Sequence, residues 1–534
     1  MVIQGKSFKR GVGIIKCIVI ISLFEKRRYV SPCSPPLSLI SLLPVSKFKR
    51  QDVVSLHPDA QVGGGTMIDA LLKKIRDGKF EFVDLKFTDI RGAWRHITIP
   101  ADKFTDKIFK DGIGIDGSSI GFLSVKAGDM IVIPDPSFHF IDPFWEMPTI
   151  SVLGNIYEVN PTEPHARDPR FTAAKAIKRL KKLLPQAEAF MGPEFEFYLF
   201  DSVRYEQTHN HGFYYLGAEE AEWNSGLDDE VPQGHYIRYK EGYHAAPPHD
   251  RTYEIRSYMC KLFQETGLNV KYHHHEVGGA SQQEIETSFG PMFEMADKSQ
   301  LAKYLIKNSA RRFGKSASFM PKPLFMEPGS GLHVHQYLAK DGFSLFYDKS
   351  KPLNLSDMGR YYLGGLLKHS PALLAFTNPS TNSYKRLVPG FEAPVRISYS
   401  IGNRTAAVRI PGYIKDPSEM RLEFRPPDGT ANIYFAFAAM LMAGLDGIEN
   451  TVDPGEPFTG DVSSKSDSLA MQNPFLPSSL SRALEALETD VGFLRVDDVF
   501  APQLIDTWLK LKQNEVEQIR LRPHPWEFRL YYDA

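Results

Sequence analysis

The stretch MGPEFEFYLF, residues 191–200, has the pattern of a β-strand with one apolar and one acidic face. Side chains alternate along a strand, so Glu194 and Glu196 share one face while Phe195 and Phe197 share the other. Neighbouring carboxylates on one face repel each other, and a hard divalent cation with oxygen ligands would remove that repulsion. An edge strand with a hydrated face is the alternative, so this stretch alone leaves a metal site open.

Three later segments add ligands of the same chemistry. HHHEVGGASQQEIE (273–286) holds Glu276 and, eight residues later across a double-glycine turn, Glu284; GSGLHVHQ (329–336) holds two histidines on one strand face, and MRLEFRPPDG (420–429) holds a glutamate between two arginines. Each could be ordinary alone, but with the first strand they supply enough carboxylates and imidazole for two Mg²⁺ or Mn²⁺ ions. The candidate metal ligands are Glu194, Glu196, Glu276, Glu284, His333 and Glu423.

Arginines accompany these segments, in NPSTNSYKRLVPGFEAPV (378–395), in NRTAAVRIP (403–411) and at Arg421 and Arg425. The planar guanidinium fits carboxylate and phosphate, so several arginines beside metal carboxylates suggest a phosphoanhydride together with an acidic substrate. Any single arginine is more simply a surface ion pair. The sequence has no GxxxxGK[ST] element, which leaves P-loop nucleotide binding unsupported.

Composition limits the class of protein. The chain has 534 residues, of which 42% are hydrophobic and 24% charged, as in a soluble globular protein of more than one domain. A net charge of −1 gives no reason to expect nucleic acid as a partner. No apolar run reaches the ~20 residues of a membrane-spanning helix. The three cysteines lack metal-type spacing and fit a reducing compartment, so we expect a cytoplasmic protein with no membrane partner.

Residues 1–66 differ from the rest, with ten Lys or Arg against three acids. An organelle transit peptide, a disordered extension and upstream sequence translated from a start codon set too early are the three interpretations. The last is favoured because Met67 follows Gly63-Gly64-Gly65-Thr66 and opens a helical pattern. We therefore expect residues 1–66 to be a non-native or disordered extension without a function.

Periodicity after Met67 predicts a mixture of helices and strands. Strands are predicted at Phe80–Phe87 and Ala93–Ile99, and proline-rich loops at Pro134–Pro143. Helices are predicted over Thr172–Leu184, Asp297–Phe313, Asn432–Ile448 and Leu504–Ile519.

From about Met67 to Ala534 the chain resembles prokaryotic type I glutamine synthetase. The motifs that carry the resemblance occur in the family's order: DGSSIGF, GPEFEFYLFD, HHHEV, GSGLHVH, NSYKRLVPGFEAPV, NRTAAVRIP and RPHPWEFRLYYDA. The resemblance implies an α+β fold, with an N-terminal β-grasp domain (67–165) and a glutamine synthetase/guanido kinase-like catalytic domain (166–534) on a curved antiparallel sheet. It also implies ATP-dependent ligation of ammonia to L-glutamate by a homo-dodecamer of two hexameric rings, with active sites between subunits.

The resemblance also implies roles for individual residues. Glu196, Glu276 and Glu284 would hold one metal ion, while Glu194, His333 and Glu423 would hold the other. Glutamate would be bound by Gly329, Arg386, Glu392, Arg404 and Arg425. ATP would be bound by Tyr243, His335, Arg404, Arg409 and Arg421. The catalytic residues would be Asp116 from the adjacent subunit, Glu392 on a flap, and Arg425 at the transferring phosphoryl group.

Some positions depart from the family pattern. Pro328 stands where relatives often have Asn, Lys271 where they have Glu, and Tyr337 where they have Ser. One rival is a ligase of the same superfamily that makes γ-glutamyl amides from polyamines or aromatic amines, and another is a catalytically dead relative. Asp116 and Glu392 favour ammonia, because a bulky amine would need that negative pocket to be opened.

Overall fold

The computed structural model describes residues 64–534, apart from 123–127, 160–162, 227–233 and 459–472, with side chains described from Met67 onward. The predictions for residues 1–63 lie outside the described residues. None of the helices in the described part of the chain is both long and apolar enough to cross a membrane.

The elements are numbered in chain order. The helices are α1 Gly64–Asp77, α2 Asp106–Asp111, α3 Pro169–Leu183, α4 Tyr253–Glu265, α5 Met292–Arg312, α6 Asp357–Thr377, α7 Ser383–Arg386, α8 Ile433–Glu449, α9 Leu480–Thr489, α10 Gly492–Arg495, α11 Pro502–Arg520 and α12 Pro525–Tyr531. The strands are β1 Phe82–Thr88, β2 Trp94–Pro100, β3 Ile113–Asp116, β4 Asp129–Ile141, β5 Thr149–Glu158, β6 Glu188–Phe200, β7 Ser202–Gln207, β8 Gly212–Gly217, β9 Val270–His275, β10 Gln282–Thr287, β11 Gly290–Pro291, β12 Ser316–Ser318, β13 Val334–Lys340, β14 Phe343–Ser344, β15 Arg396–Ile401, β16 Ala406–Ile410 and β17 Leu422–Phe424.

The first sheet has the strand order β2-β1-β5-β4-β3. Strand β1 lies antiparallel to β2 and parallel to β5. Val83 and Leu85 of β1 are fully buried, and Leu71 and Ile75 of α1 belong to the same hydrophobic core. Burying an aliphatic side chain of this size stabilises the fold by about 1.5–3 kcal/mol, so this face holds helix and sheet together.

The second sheet has the strand order β15-β16-β17-β13-β6-β10-β9, with β6 pairing antiparallel to both β13 and β10. The edge-strand alternative for residues 191–200 is therefore wrong, because β6 has a partner on each side. Phe195 and Phe197 are fully buried in the core. The opposite face of β6, which carries Glu194 and Glu196, is left to form the wall of a cavity.

Two buried polar groups connect the first sheet to the helices behind the second. The Asp168 carboxylate caps α3 by accepting from the Phe171 amide at 3.1 Å, and it also accepts from the Ile156 amide at the end of β5 at 2.6 Å. The guanidinium of Arg170 donates to both carboxylate oxygens of Asp297 at 2.8 Å.

The same guanidinium reaches back to the first sheet. Arg170 Nη1 lies 2.8 Å from Asn155 Oδ1 and 2.7 Å from Asp135 Oδ2. Removing one partner of a buried charge leaves the other uncompensated, so this network makes the connection specific.

The prediction of loops at Pro134–Pro143 is wrong over most of its length. Strand β4 runs through this segment to Ile141, and its register against β5 shifts between Pro134 and His139. Proline is tolerated within a strand at such an irregularity because no ladder hydrogen bond is lost there.

Four helices begin earlier than predicted, among them α3 at Pro169 and α11 at Pro502. Helix α5 begins at Met292, directly after Pro291, and not at Asp297. Helix α1 begins at Gly64, three residues before Met67. Glycine carries no apolar side chain, so hydrophobic periodicity cannot reveal a first turn of this composition.

Candidate functional site

The acidic face of β6 borders a cavity of about 420 Å³. Most of the site residues predicted from the sequence line it, although they come from segments far apart in the chain. They are Glu194, Glu196, Tyr243, Glu276, Glu284, Gly329, His333, Arg386, Glu392, Arg404, Arg409 and Arg425.

Glu194, His333 and Glu423 form one potential cation group. Their ligand atoms lie within 4.8 Å of one another, and His333 Nδ1 is 3.0 Å from Glu194 Oε2. Strand pairing explains the convergence, because β13 runs between β6 and β17. Glu423 is fully buried and does not line the cavity itself.

A second potential cation group contains His274, Glu276 and Glu284, whose ligand atoms also lie within 4.8 Å of one another. Glu196 stands between the two groups. Its Oε1 lies 3.6 Å from His333 Nε2, while its Oε2 accepts from the Gly331 amide at 2.7 Å.

Sequence reasoning missed His274 as a candidate ligand. It is the direct partner of Glu284 in the ladder between β9 and β10. Counting the register outward from the Gly278-Gly279 turn would have paired the two residues.

The acidic end of the cavity has an unbalanced charge. Burial raises the pKa of Glu276 well above its usual range, and the carboxylates of Glu284 and Glu196 raise it further. Burial likewise raises the pKa of Glu284, with added repulsion from Glu194 and Glu196. A donor set of carboxylates and imidazoles, without a thiolate among the described lining residues, fits Mg²⁺ or Mn²⁺.

Glu194 differs from these two carboxylates. Burial opposes its charge, but the imidazoles of His335 and His333 outweigh burial and lower the pKa of Glu194 well below its usual range. This end of the cavity therefore already holds a stable anion.

Arginines border the other side of the cavity. The buried Arg386 donates from Nη1 to the Pro426 carbonyl at 2.7 Å, and its Nη2 lies 3.4 Å from His333 Nε2. Arg409 and Arg425 both pair with the carboxylate of Glu423. These contacts fix cations next to the acidic groups, as binding of an anionic substrate requires.

Residues 390–393, around the predicted flap position Glu392, form a short segment (the flap) that lines the cavity. Gly390 has φ +89° and Glu392 has φ +53°, so the residues on both sides of Phe391 are in the left-handed region. The Glu392 carboxylate is exposed and lies 3.8 Å from Arg404 Nη1.

Besides Glu423, three predicted residues do not line the cavity. His335 is fully buried, with Nε2 2.7 Å from Glu194 Oε1. Arg421 donates to the Glu419 carbonyl at 3.0 Å, and its guanidinium lies 4.9 Å from the centre of the Phe289 ring.

The third, Asp116, is exposed at the end of β3 in the first sheet. Hydrogen bonds from Ser118 and Ser119 lower the pKa of Asp116 to about 2, so the carboxylate is charged at neutral pH.

The departures from the family pattern have partners of their own. Lys271 Nζ lies 2.6 Å from Glu286 Oε1 and 4.1 Å from the centre of the Phe289 ring. Glu286 could complete a further cation group with Glu194 and His335. Sequence reasoning missed Glu286, although it follows Glu284 at the spacing of two that keeps side chains on one face of a strand.

Pro328 lines the cavity, and Tyr337 does not. The Pro328 carbonyl accepts from the Tyr198 hydroxyl at 2.7 Å. The ring of Tyr337 stacks on that of Phe190, with centroids 5.1 Å apart.

Comparison with known proteins gives matches over most of the chain. The model of the family described as glutamine synthetase, catalytic domain, matches residues 166–531, and that of the glutamine synthetase beta-Grasp domain matches residues 79–159. Glutamine synthetase of Frankia alni is 47% identical over 471 residues, covering 88% of this chain and 99% of that protein. Glutamine synthetase of a Nostoc species is 47% identical over 469 residues, covering 87% of this chain and 99% of that protein.

The fold is also similar to a solved structure. The cryo-EM structure of Plasmodium falciparum glutamine synthetase superposes with a TM-score of 0.79 at 27% identity, covering 87% of this chain and 98% of that chain. These similarities confirm the predicted fold class, a β-grasp domain followed by a catalytic domain on a curved sheet.

Proposed function

Because the chain belongs to the glutamine synthetase family and is a glutamate–ammonia ligase, we propose that its acidic cavity joins ammonia to the side-chain carboxylate of glutamate with ATP as co-substrate. The observation that carries this proposal is the meeting of carboxylates, imidazoles and arginines from separate segments at one cavity. The matched ranges, 79–159 and 166–531, support the two proposed domains at 67–165 and 166–534.

Two divalent cations, Mg²⁺ or Mn²⁺, belong to this proposal. Glu196, Glu276 and Glu284 would hold one, and Glu194, His333 and Glu423 would hold the other. When bound, the ions supply positive charge that offsets the phosphate oxygens. The raised pKa values of Glu276 and Glu284 support this arrangement, because such carboxylates are compensated best by a cation.

The remaining residues divide between the two substrates. Gly329 and Arg386 would bind glutamate, and Tyr243 and His335 would lie near the nucleoside. The phosphates would meet Arg404, Arg409 and Arg421, with Arg425 at the transferring γ-phosphoryl group. Fixed guanidinium groups stabilise the charge that develops during phosphoryl transfer.

The chemistry explains why ATP is needed. A carboxylate is a poor acyl donor because oxide would have to leave, so its oxygen first attacks the γ-phosphorus and ADP departs. Ammonia then attacks the carbonyl carbon of γ-glutamyl phosphate, a C–N bond forms, and the C–O bond to phosphate breaks. Glu392 and Asp116 would attract ammonium and take its proton, which frees the nitrogen lone pair.

Asp116 requires a neighbouring subunit in this scheme. Its charged carboxylate is exposed on the first sheet and outside the lining of its own chain's cavity, which supports a role in an adjacent site. Family membership supports the expected homo-dodecamer of two hexameric rings, with active sites between subunits, in the cytoplasm.

The test is an assay of glutamate-dependent ATP hydrolysis with different amines. We expect ammonium to give a higher kcat/KM than putrescine or aniline, because the negative residues proposed for the amine site suit a small cation. A higher kcat/KM with either amine would show that the ammonia assignment is wrong. Amide products identified by mass spectrometry provide the control for uncoupled hydrolysis.

A further inference from the structure

The flap residue Phe391 contacts two lysine side chains. Lys322 Nζ lies 3.7 Å from the centre of the half-buried ring, and Lys240 Nζ lies 4.1 Å from it. A cation over an aromatic face is attracted by the negative charge of the π system. The ring is therefore held by two charges from outside the flap.

Both lysines are attached to the body of the protein. The Lys322 amide donates to Asn382 Oδ1 at 2.7 Å, and its ammonium donates to the Glu327 carbonyl. The Lys240 amide lies 3.3 Å from Oε2 of Glu327, whose side chain is buried. None of these three contacts involves a flap residue, so both lysines are held independently of the flap.

The two ammonium groups are close enough to affect each other. Burial, followed by the charge of Lys240, lowers the pKa of Lys322 to about 8. Two ammonium groups held close together repel each other, and the π face of one ring attracts both of them. This attraction favours the position of the Phe391 ring against Lys240 and Lys322.

Glu392 follows this ring directly. Its backbone has φ +53°, a conformation that is uncommon for residues other than glycine, and its carbonyl lies 3.5 Å from Arg425 Nη2. A side chain on such a backbone keeps its direction only if neighbouring contacts hold the turn. The contact of Phe391 with Lys240 and Lys322 provides that restraint.

We propose that Phe391 is a positioning residue, which uses Lys240 and Lys322 to seat Glu392 over the cavity and so protects γ-glutamyl phosphate from water. This inference rests on the proposed function. In the unprotected reaction, water oxygen attacks the carbonyl carbon, the C–O bond to phosphate breaks, and glutamate and phosphate are released with loss of a proton to solvent. ATP is then consumed without formation of glutamine.

The experiment measures phosphate and glutamine released by the same full-length enzyme with ATP, glutamate and ammonium. We expect a ratio of phosphate to glutamine near one for the wild type. In Phe391→Leu this ratio should rise by at least about twofold, because a loosened flap admits water. Phe391→Tyr keeps the ring and should restore the wild-type ratio. Lys322→Met removes one support and should raise the ratio as Phe391→Leu does.

Phe171→Leu is the matched control, since Phe171 lies on α3, outside the cavity, with Lys175 Nζ 5.6 Å from its ring. An unchanged ratio in Phe391→Leu, or an equal rise in the Phe171 control, would overturn the role of Phe391. A wild type that forms no glutamine would instead contradict the proposed function, so the two failures are distinguishable.

Discussion

Glu284 lies directly opposite Glu196 across the ladder between β10 and β6. Like charges directly opposite each other destabilise a sheet. Both residues are nearly buried, so solvent screens the repulsion poorly. The strand pairing that builds the cavity therefore also places two repelling carboxylates where a bound cation would stabilise them.

Mg²⁺ or Mn²⁺ is expected to raise the Tm of the metal-free enzyme. At a concentration of about one hundred times Kd, a bound ion stabilises the folded state by about 2.7 kcal/mol. Glu284→Gln removes one charge, so we expect a smaller metal-induced rise in Tm, measured by differential scanning fluorimetry. An equal rise in the variant would contradict the assignment of Glu284 as a ligand.

The stability of the metal-free enzyme should fall as pH rises. The pKa of Glu284 is raised in the folded state, so the folded protein binds more protons than the unfolded chain above the ordinary value of 4.5. The stability that Glu284 contributes through its bound proton is fully present below pH 4.5. It is lost as pH rises through the pKa of Glu284 in the folded protein. The wild type should therefore lose more stability than Glu284→Gln in urea titrations between pH 5 and 8 without metal.

Glu423→Gln is expected to destabilise the protein. The fully buried carboxylate pairs with Arg409 and Arg425, and its removal leaves two cations without a counter-charge. Breaking a buried pair costs about 3–5 kcal/mol. Urea denaturation measures the loss, and Glu419→Gln, at an exposed glutamate, is the control. A loss no larger than in the control would show that the pairs contribute little.

Glu392→Ala should impair amide formation more than glutamate binding. Loss of a general base lowers kcat by about 10²–10⁴-fold, while the exposed side chain adds little to the binding of glutamate. Steady-state kinetics gives kcat, and isothermal titration gives the glutamate Kd. Unchanged turnover would remove the proposed role of Glu392 in taking the proton of ammonium.

Asp116→Asn and Glu284→Gln should complement each other in mixed assemblies. Each variant alone lacks one half of every proposed site, but equal mixing restores complete sites at up to about a quarter of the interfaces if sites lie between subunits. Co-expression with two affinity tags isolates the hybrids for the glutamine assay. Hybrids as inactive as the parents would exclude a contribution of Asp116 in trans.

His369 should stabilise the protein more at low pH. Burial opposes its charge, but hydrogen bonds to Asp446 at 2.8 Å and Asp490 at 2.7 Å raise its pKa above the ordinary 6.5. This stabilisation is complete below 6.5 and is lost as pH rises through the folded pKa. The Tm difference between wild type and His369→Gln should thus be larger at pH 6 than at pH 9, and an equal difference at both pH values would contradict this role of His369.

Sequence reasoning located the acidic strand because alternation along one strand needs no knowledge of its partners. It missed His274 because only the strand register places that residue opposite Glu284. The support of Phe391 by Lys240 and Lys322 was also beyond reach, since those residues are separated by long stretches of chain. Local periodicity predicts which face a side chain takes, whereas contacts across loops depend on the folded topology.

The carboxylate of Asp168 accepts hydrogen bonds from two family-matched regions. One comes from Ile156 in the last strand of the first region, and the other from Phe171 in the first helix of the second. Separating the two regions would deprive the Ile156 amide of its acceptor and would expose the charges around Arg170. Neither half is thus a self-sufficient module, and chimaeras that exchange one half between relatives must carry both sides of this joint.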